Sequence, residues 1–288
     1  MTSVRARGRE WGRRGLIRAS DVIRPMSSTA RLEPTFLIIG AQRCGTTSMF
    51  KTLAQHPDVA RPFLRKGIHY FDKNYERTFD WYRGHFPLKA AARARRRGRA
   101  PHTGESSPYY MFHPHAVDRI AEDLPNVRLL MLVRDPVERA YSAHAHEYAR
   151  GFETLGFEEA IAAEPGRIDG IEQQMRADPT LDSAAFQHNA YAARGRYIEQ
   201  IERITDIVGH DRLHVVDSGD FFSDPAQTFW EVEAFLGLRH SADLVFEQHN
   251  ARRRSSMPTS VRAELDDHFK PWDEALATWW GRTPSWRR

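Results

Sequence analysis

The segment Gly40-Ala41-Gln42-Arg43-Cys44-Gly45-Thr46-Thr47-Ser48 places four residues between two glycines. This is the G-x-x-x-x-G spacing of a phosphate loop, in which backbone N–H groups and a helix N-terminus surround anionic oxygens. A loop that grips a nucleoside triphosphate continues with Lys, but here that position is Thr46, which disfavours an ordinary ATPase or GTPase. The cation stands earlier, as Arg43, and Thr46, Thr47 and Ser48 add hydroxyl donors. Such a set suits a terminal anion of lower charge than a triphosphate, handled without magnesium.

These residues need elements to hold them. Residues 36–39 and 129–133 are short continuous apolar runs, the mark of buried parallel strands. The first leads through the loop into a helix predicted over about 46–55. The second leads through Arg134-Asp135-Pro136 into a helix over about 136–148, with Pro placed to start the first turn. Residues 213–216 read as another buried strand, and Asp224-Pro225 opens a helix ending near Leu236-Gly237. Strands alternating with helices predict an α/β fold, a central parallel sheet flanked by helices in three P-loop-like layers, with ligands at the carboxyl ends of the strands. Residues 151–183 read as loops with no chemical signal.

With that frame in place, a resemblance becomes specific. The run PTFLIIGAQRCGTTSMFKTLAQHPDV resembles the 5′-phosphosulfate loop of sulfotransferases that use 3′-phosphoadenosine 5′-phosphosulfate (PAPS), closest to the heparan-sulfate group and its bacterial relatives. Lys66 to Asp72 (KGIHYFD) with Asp80-Trp81-Tyr82, Gly104 to Tyr110 (GESSPYY), and Arg128 to Ser142 (RLLMLVRDPVERAYS) are similar to three further blocks of that group, in the same order. The resemblance covers about residues 34–280. It implies sulfuryl transfer from PAPS to a hydroxyl or amine, releasing adenosine 3′,5′-bisphosphate (PAP) without a metal. It further implies that Arg43, Cys44, Gly45, Thr46, Thr47 and Ser48 surround the phosphosulfate, that Lys66 is a second active-site cation and that Glu105 is the general base. His69 is expected at the acceptor pocket or as an auxiliary acid–base group. Arg134 and Ser142 are expected at the 3′-phosphate, Tyr197 near the nucleotide, and Arg252, Arg253 and Arg254 in a basic loop over that phosphate. Ser106 and Gly67 depart from the group's pattern, standing where Lys and Glu are frequent. Arg139 is expected to be a structural ion-pair partner.

The 288 residues carry a net charge of +4. Residues 1–33 hold eight Arg against three acids, a net +5, while the other 34 basic and 35 acidic residues net −1. The basicity therefore belongs to an Arg-rich leader, expected to be disordered, ahead of a domain over 34–288. Polyanion binding through that leader and a nucleotide-dependent kinase on the same sheet are the alternative functions. No apolar run approaches the roughly 20 residues that span a bilayer, so no transmembrane anchor is expected. The single Cys44 makes no internal disulfide, and a cytoplasmic location is expected. His113-x-His115 and His144-x-His146 are the nearest thing to metal ligands, but residues two apart on a helix point their rings about 200° apart, so no metal is expected. A small-molecule or glycan acceptor is the expected partner, with no specific nucleic acid and the homodimer left open. Trp272, Trp279, Trp280 and Trp286 read mainly as packing residues.

Overall fold

The computed structural model describes residues 25–62, 66–95, 101–247 and 257–288. Most of the Arg-rich leader and the expected basic loop at Arg252, Arg253 and Arg254 lie outside the described residues.

Strand β1 (Phe36–Gly40) is buried at every position. Successive strand side chains point to opposite faces, so complete burial requires cover on both. The same holds for Leu129 to Val133 in β3 (Arg128–Val133). With β2 (Gly104–Ser106) and β4 (Leu213–Asp217) they form one parallel sheet in the order β2-β1-β3-β4. Its register sets Leu37 against both Glu105 and Leu129, and Leu129 against Leu213. All four carboxyl ends share one edge, and the flanking helices start from it.

Helix α1 (Thr46–Leu53) follows β1 directly. Helix α2 (Pro136–Arg150) follows β3, and Asp135 caps it by accepting from the amides of Val137 and Glu138 at 2.9 and 3.2 Å. Next come α3 (Phe157–Ile168), α4 (Tyr197–Val208), α5 (Pro225–Leu236) and α6 (Thr259–Trp280).

Three features differ from the sequence expectations. Residues 151–183 are mainly helical, in α3 and a short helix Ile171–Ala177. Pro165 and Gly166 inside α3 disguise it, because both disfavour a helix interior. Its start is secured by the Glu159 carboxylate accepting from the Gly156 amide at 3.1 Å. Folded chain also begins before residue 34: Ser28 and Leu32 are buried, and Arg31 donates to the Phe86 carbonyl at 2.7 Å. Finally, Arg139 forms no ion pair among the described residues; fully buried, it donates to the carbonyl of Tyr191.

Gly104 marks a close approach of β2 to β1. A Cβ there would stand 2.3 Å from the Phe36 carbonyl oxygen and 2.5 Å from its ring. Gly104→Ala is expected to destabilise the fold by about 1–3 kcal/mol, read as a lower urea midpoint at unchanged m-value.

Candidate active site

Along the carboxyl edge of the sheet runs a cavity of about 660 Å³, within the usual range of small-molecule sites. Arg43, Lys66, Arg134, Arg150 and Arg194 line it, against one carboxylate, Asp135. That carboxylate is committed to the α2 cap and to Arg262, 2.8 Å from its Oδ2. The cavity is therefore strongly cationic inside a domain close to neutral.

The loop residues build the first part. Gly45 takes φ 85°, and α1 begins at Thr46, so the helix N-terminus opens on the cavity. Lys66 comes from the far side of α1 and reaches back: Nζ lies 3.2 Å from Thr46 Oγ1 and 3.0 Å from Thr47 Oγ1. The Lys absent from the loop sequence is thus supplied in space by Lys66. Burial pushes its ammonium down to about 8, while Glu105 pulls the other way. Arg43 Nε donates to Ser142 Oγ at 3.1 Å, and Arg134 Nη1 to the Arg43 carbonyl at 3.3 Å. Three expected donor-site residues from two strand ends and one helix are therefore contiguous.

Cys44 and Tyr197 support the loop from behind. Cys44 is fully buried, 3.7 Å from Tyr197 Oη, and burial raises its thiol pKa. Tyr197 donates to the Arg134 carbonyl at 3.0 Å. Ser48 is buried beneath the loop and does not reach the cavity.

Of the two expected acid–base groups, His69 lines the cavity and Glu105 does not. Glu105 is fully buried and does not line the cavity. Its Oε2 accepts from the Ile68 amide at 3.1 Å and Ser107 Oγ at 2.7 Å, and its Oε1 from Tyr110 Oη at 2.7 Å. Burial raises its pKa, against those hydrogen bonds. His69 is on the cavity wall, its side chain 41% exposed, with Nδ1 2.8 Å from Asp72 Oδ2. Burial opposes its positive charge, but Asp72, with help from Glu105, holds the imidazole pKa above the usual 6.5. Arg43 and His69 are the two non-glycine residues with left-handed backbone among the described residues, at φ 73° and 56°. That conformation costs an L-residue about 1–2 kcal/mol, and both residues line the cavity.

Sequence reasoning missed two parts of the wall. Glu147 gathers Gln42, Arg150 and His188 at 3.1, 2.9 and 3.0 Å; Arg150 is one turn along the same helix, but Gln42 and His188 are too distant in sequence to signal the cluster. At the opposite end stand Phe222, Ser285 and Trp286, so Trp286 is a wall residue as well as a packing one. Two of the four paired histidines serve the scaffold, His144 Nε2 bonding the Leu155 carbonyl at 2.9 Å and His115 Nε2 the Met175 carbonyl at 2.6 Å, while His146 lines the cavity. No helix among the described residues is long and apolar enough to cross a membrane.

The profile of the sulfotransferase family matches residues 34–242. The chain is 22% identical to the membrane-associated sulfotransferase kil1 of Dictyostelium discoideum, over 88% of this chain and 66% of that protein. It is 28% identical to the human bifunctional heparan sulfate N-deacetylase/N-sulfotransferase 3, over 75% of this chain, and spans about a quarter (24%) of that protein's length. The crystal structure of a sulfotransferase from Alicyclobacillus acidocaldarius superposes with a TM-score of 0.64 at 30% identity, covering 89% of this chain and 100% of the other.

Proposed function

The chain belongs to the sulfotransferase family, and on that premise we propose that it moves a sulfuryl group from PAPS to a hydroxyl or amine of a carbohydrate-type acceptor. The observation that carries this reading is the row of cations: Lys66 over the Thr46 and Thr47 hydroxyls, then Arg43 on Ser142, then Arg134. A donor charged at both its phosphosulfate and its 3′-phosphate matches a site that carries a row of cations.

The donor supplies an activated sulfuryl group. The acceptor atom bonds to sulfur, the bridging S–O bond breaks, and PAP leaves with that electron pair. The protein's tasks are to hold the anion, to steady the negative charge on the leaving oxygen and to take the acceptor's proton. Thr46, Thr47 and the α1 N-terminus provide fixed donors for the first task. Lys66 and Arg43 serve the second. For the third, His69 is the group whose position supports it: it faces the cavity, and Asp72 on Nδ1 orients the ring and stabilises the imidazolium. Glu105, expected as the base itself, fits better as a charge behind the wall, since both its oxygens already accept hydrogen bonds. The carbohydrate class rests on the resemblance to the glycan-acting group. It is supported by His146, Arg150 and His188 on the cavity wall, polar groups suited to a hydroxyl-rich or anionic acceptor.

Calorimetry without magnesium tests the donor. PAP is expected to bind at least about tenfold more tightly than ATP, a difference of about 1.4 kcal/mol. Equal or tighter binding of ATP would overturn the reading.

A further inference from the structure

The carboxyl ends of the strands form a row in the order β2-β1-β3-β4, neighbours about 5 Å apart. Thr46 and Thr47 follow β1, and Arg134 follows β3. The next strand in the row is β4, beyond those two places, and there the cavity changes character, leaving an uncharged stretch of wall for the base of a nucleotide gripped at them. Around Ser218 and Gly219 its wall is uncharged and carries two aromatic rings, Phe222 and Trp286.

Part of that wall is the C-terminal segment, pinned to three carboxylates. Asp217, the buried last residue of β4, accepts from the Ser285 amide at 2.7 Å and from Ser285 Oγ at 2.7 Å. Asp273 accepts from Trp286 Nε1 at 3.0 Å and from Arg287 Nε at 2.7 Å. Asp220 accepts from Arg282 at 2.6 Å. Gly219 leaves room for this docking, because a Cβ there would lie 2.2 Å from Ser285 Oγ. The half-buried Trp286 is thus held by its Nε1 edge while it lines the cavity.

We propose that residues 283–288 are a working part of the donor site, a strap whose Trp286 indole packs against the purine of the donor. The proposal rests on the PAPS reading above and adds to it the element that recognises the base. Aromatic packing suits a purine because every base presents a π face, and the fixed Nε1 bond spares the indole the entropy of being ordered on binding.

The test compares two ligands, PAP and a base-free ribose 3,5-bisphosphate, on the full chain and on Trp286→Leu and Trp286→Phe, by calorimetry. Trp286→Leu is expected to weaken PAP by about tenfold or more while leaving the base-free ligand within about twofold. Trp286→Phe, which keeps a ring, is expected to recover most of the loss and serves if the leucine variant folds poorly. An equal loss for both ligands in both variants would make the strap a mere prop and overturn the proposal, as would unchanged PAP affinity. If the unmodified chain prefers ATP to PAP, the donor reading falls and takes the strap's role with it. A chain that binds PAP well but is indifferent to Trp286 sinks the strap alone.

Discussion

Replacing Lys66 with Ala is expected to lower kcat by about 100-fold to 1,000-fold, the usual consequence of removing one preorganised group that meets charge developing in the transition state. Steady-state kinetics at saturating donor and acceptor would measure it. The effect belongs mainly in kcat because the donor keeps other anchors, Arg43, Arg134 and the α1 N-terminus, whereas among the lining cations Lys66 alone rests on both Thr46 and Thr47 hydroxyls. Lys66→Arg is expected to restore only part of the rate. A planar guanidinium keeps the charge but cannot place one compact donor 3.2 and 3.0 Å from two hydroxyls on the same turn. A loss confined to KM would mean that Lys66 binds the donor without acting on the reacting bond.

What the sequence discloses is set by how local each signal is. The strands at Phe36 and Leu129 are legible because burial on both faces demands an unbroken apolar run, and the loop after β1 because two glycines at fixed spacing are a backbone requirement. From these the parallel sheet follows, and with it the edge where Arg43, Arg134 and Ser142 meet. The role of Glu105 is less legible. Its type and neighbours suit a base, but its burial is decided by a Tyr110 hydroxyl, an Ile68 amide and Ser107 closing on it from two loops, an outcome of packing. Trp286 is further still from any local cue. Its place depends on Asp217 and Asp273, on separate elements, holding the chain end against the site. Helix α3 fails for the opposite reason, since Pro165 supplies a strong local signal against a helix that tertiary contacts and the Glu159 cap sustain.

The division of labour between His69 and Glu105 has a signature in pH. His69 must be neutral to accept a proton, so kcat/KM should climb as pH rises through an imidazole pKa held above 6.5 by Asp72. Lys66 must be charged, so activity should fall again as pH passes its value of about 8 in the free enzyme. The profile is therefore a narrow bell. His69→Gln is expected to remove the acidic limb and cost about 100-fold to 10,000-fold at the optimum, the usual yield of general-base catalysis. Glu105→Gln acts on both limbs in the same direction. Its negative charge favours the protonated forms of His69 and Lys66 alike, so removing it lowers both pKa values and moves both limbs of the bell toward acid. The amide can still accept at Oε1, but its NH₂ group faces donors at Ser107 and Ile68, so thermal unfolding of the variant should be measured beside the rates. If Glu105→Gln instead abolishes the acidic limb while His69→Gln keeps it, the proton goes to Glu105. His69 would then be an orienting group on the acceptor wall, and the carboxylate would have to open a path to the cavity during turnover.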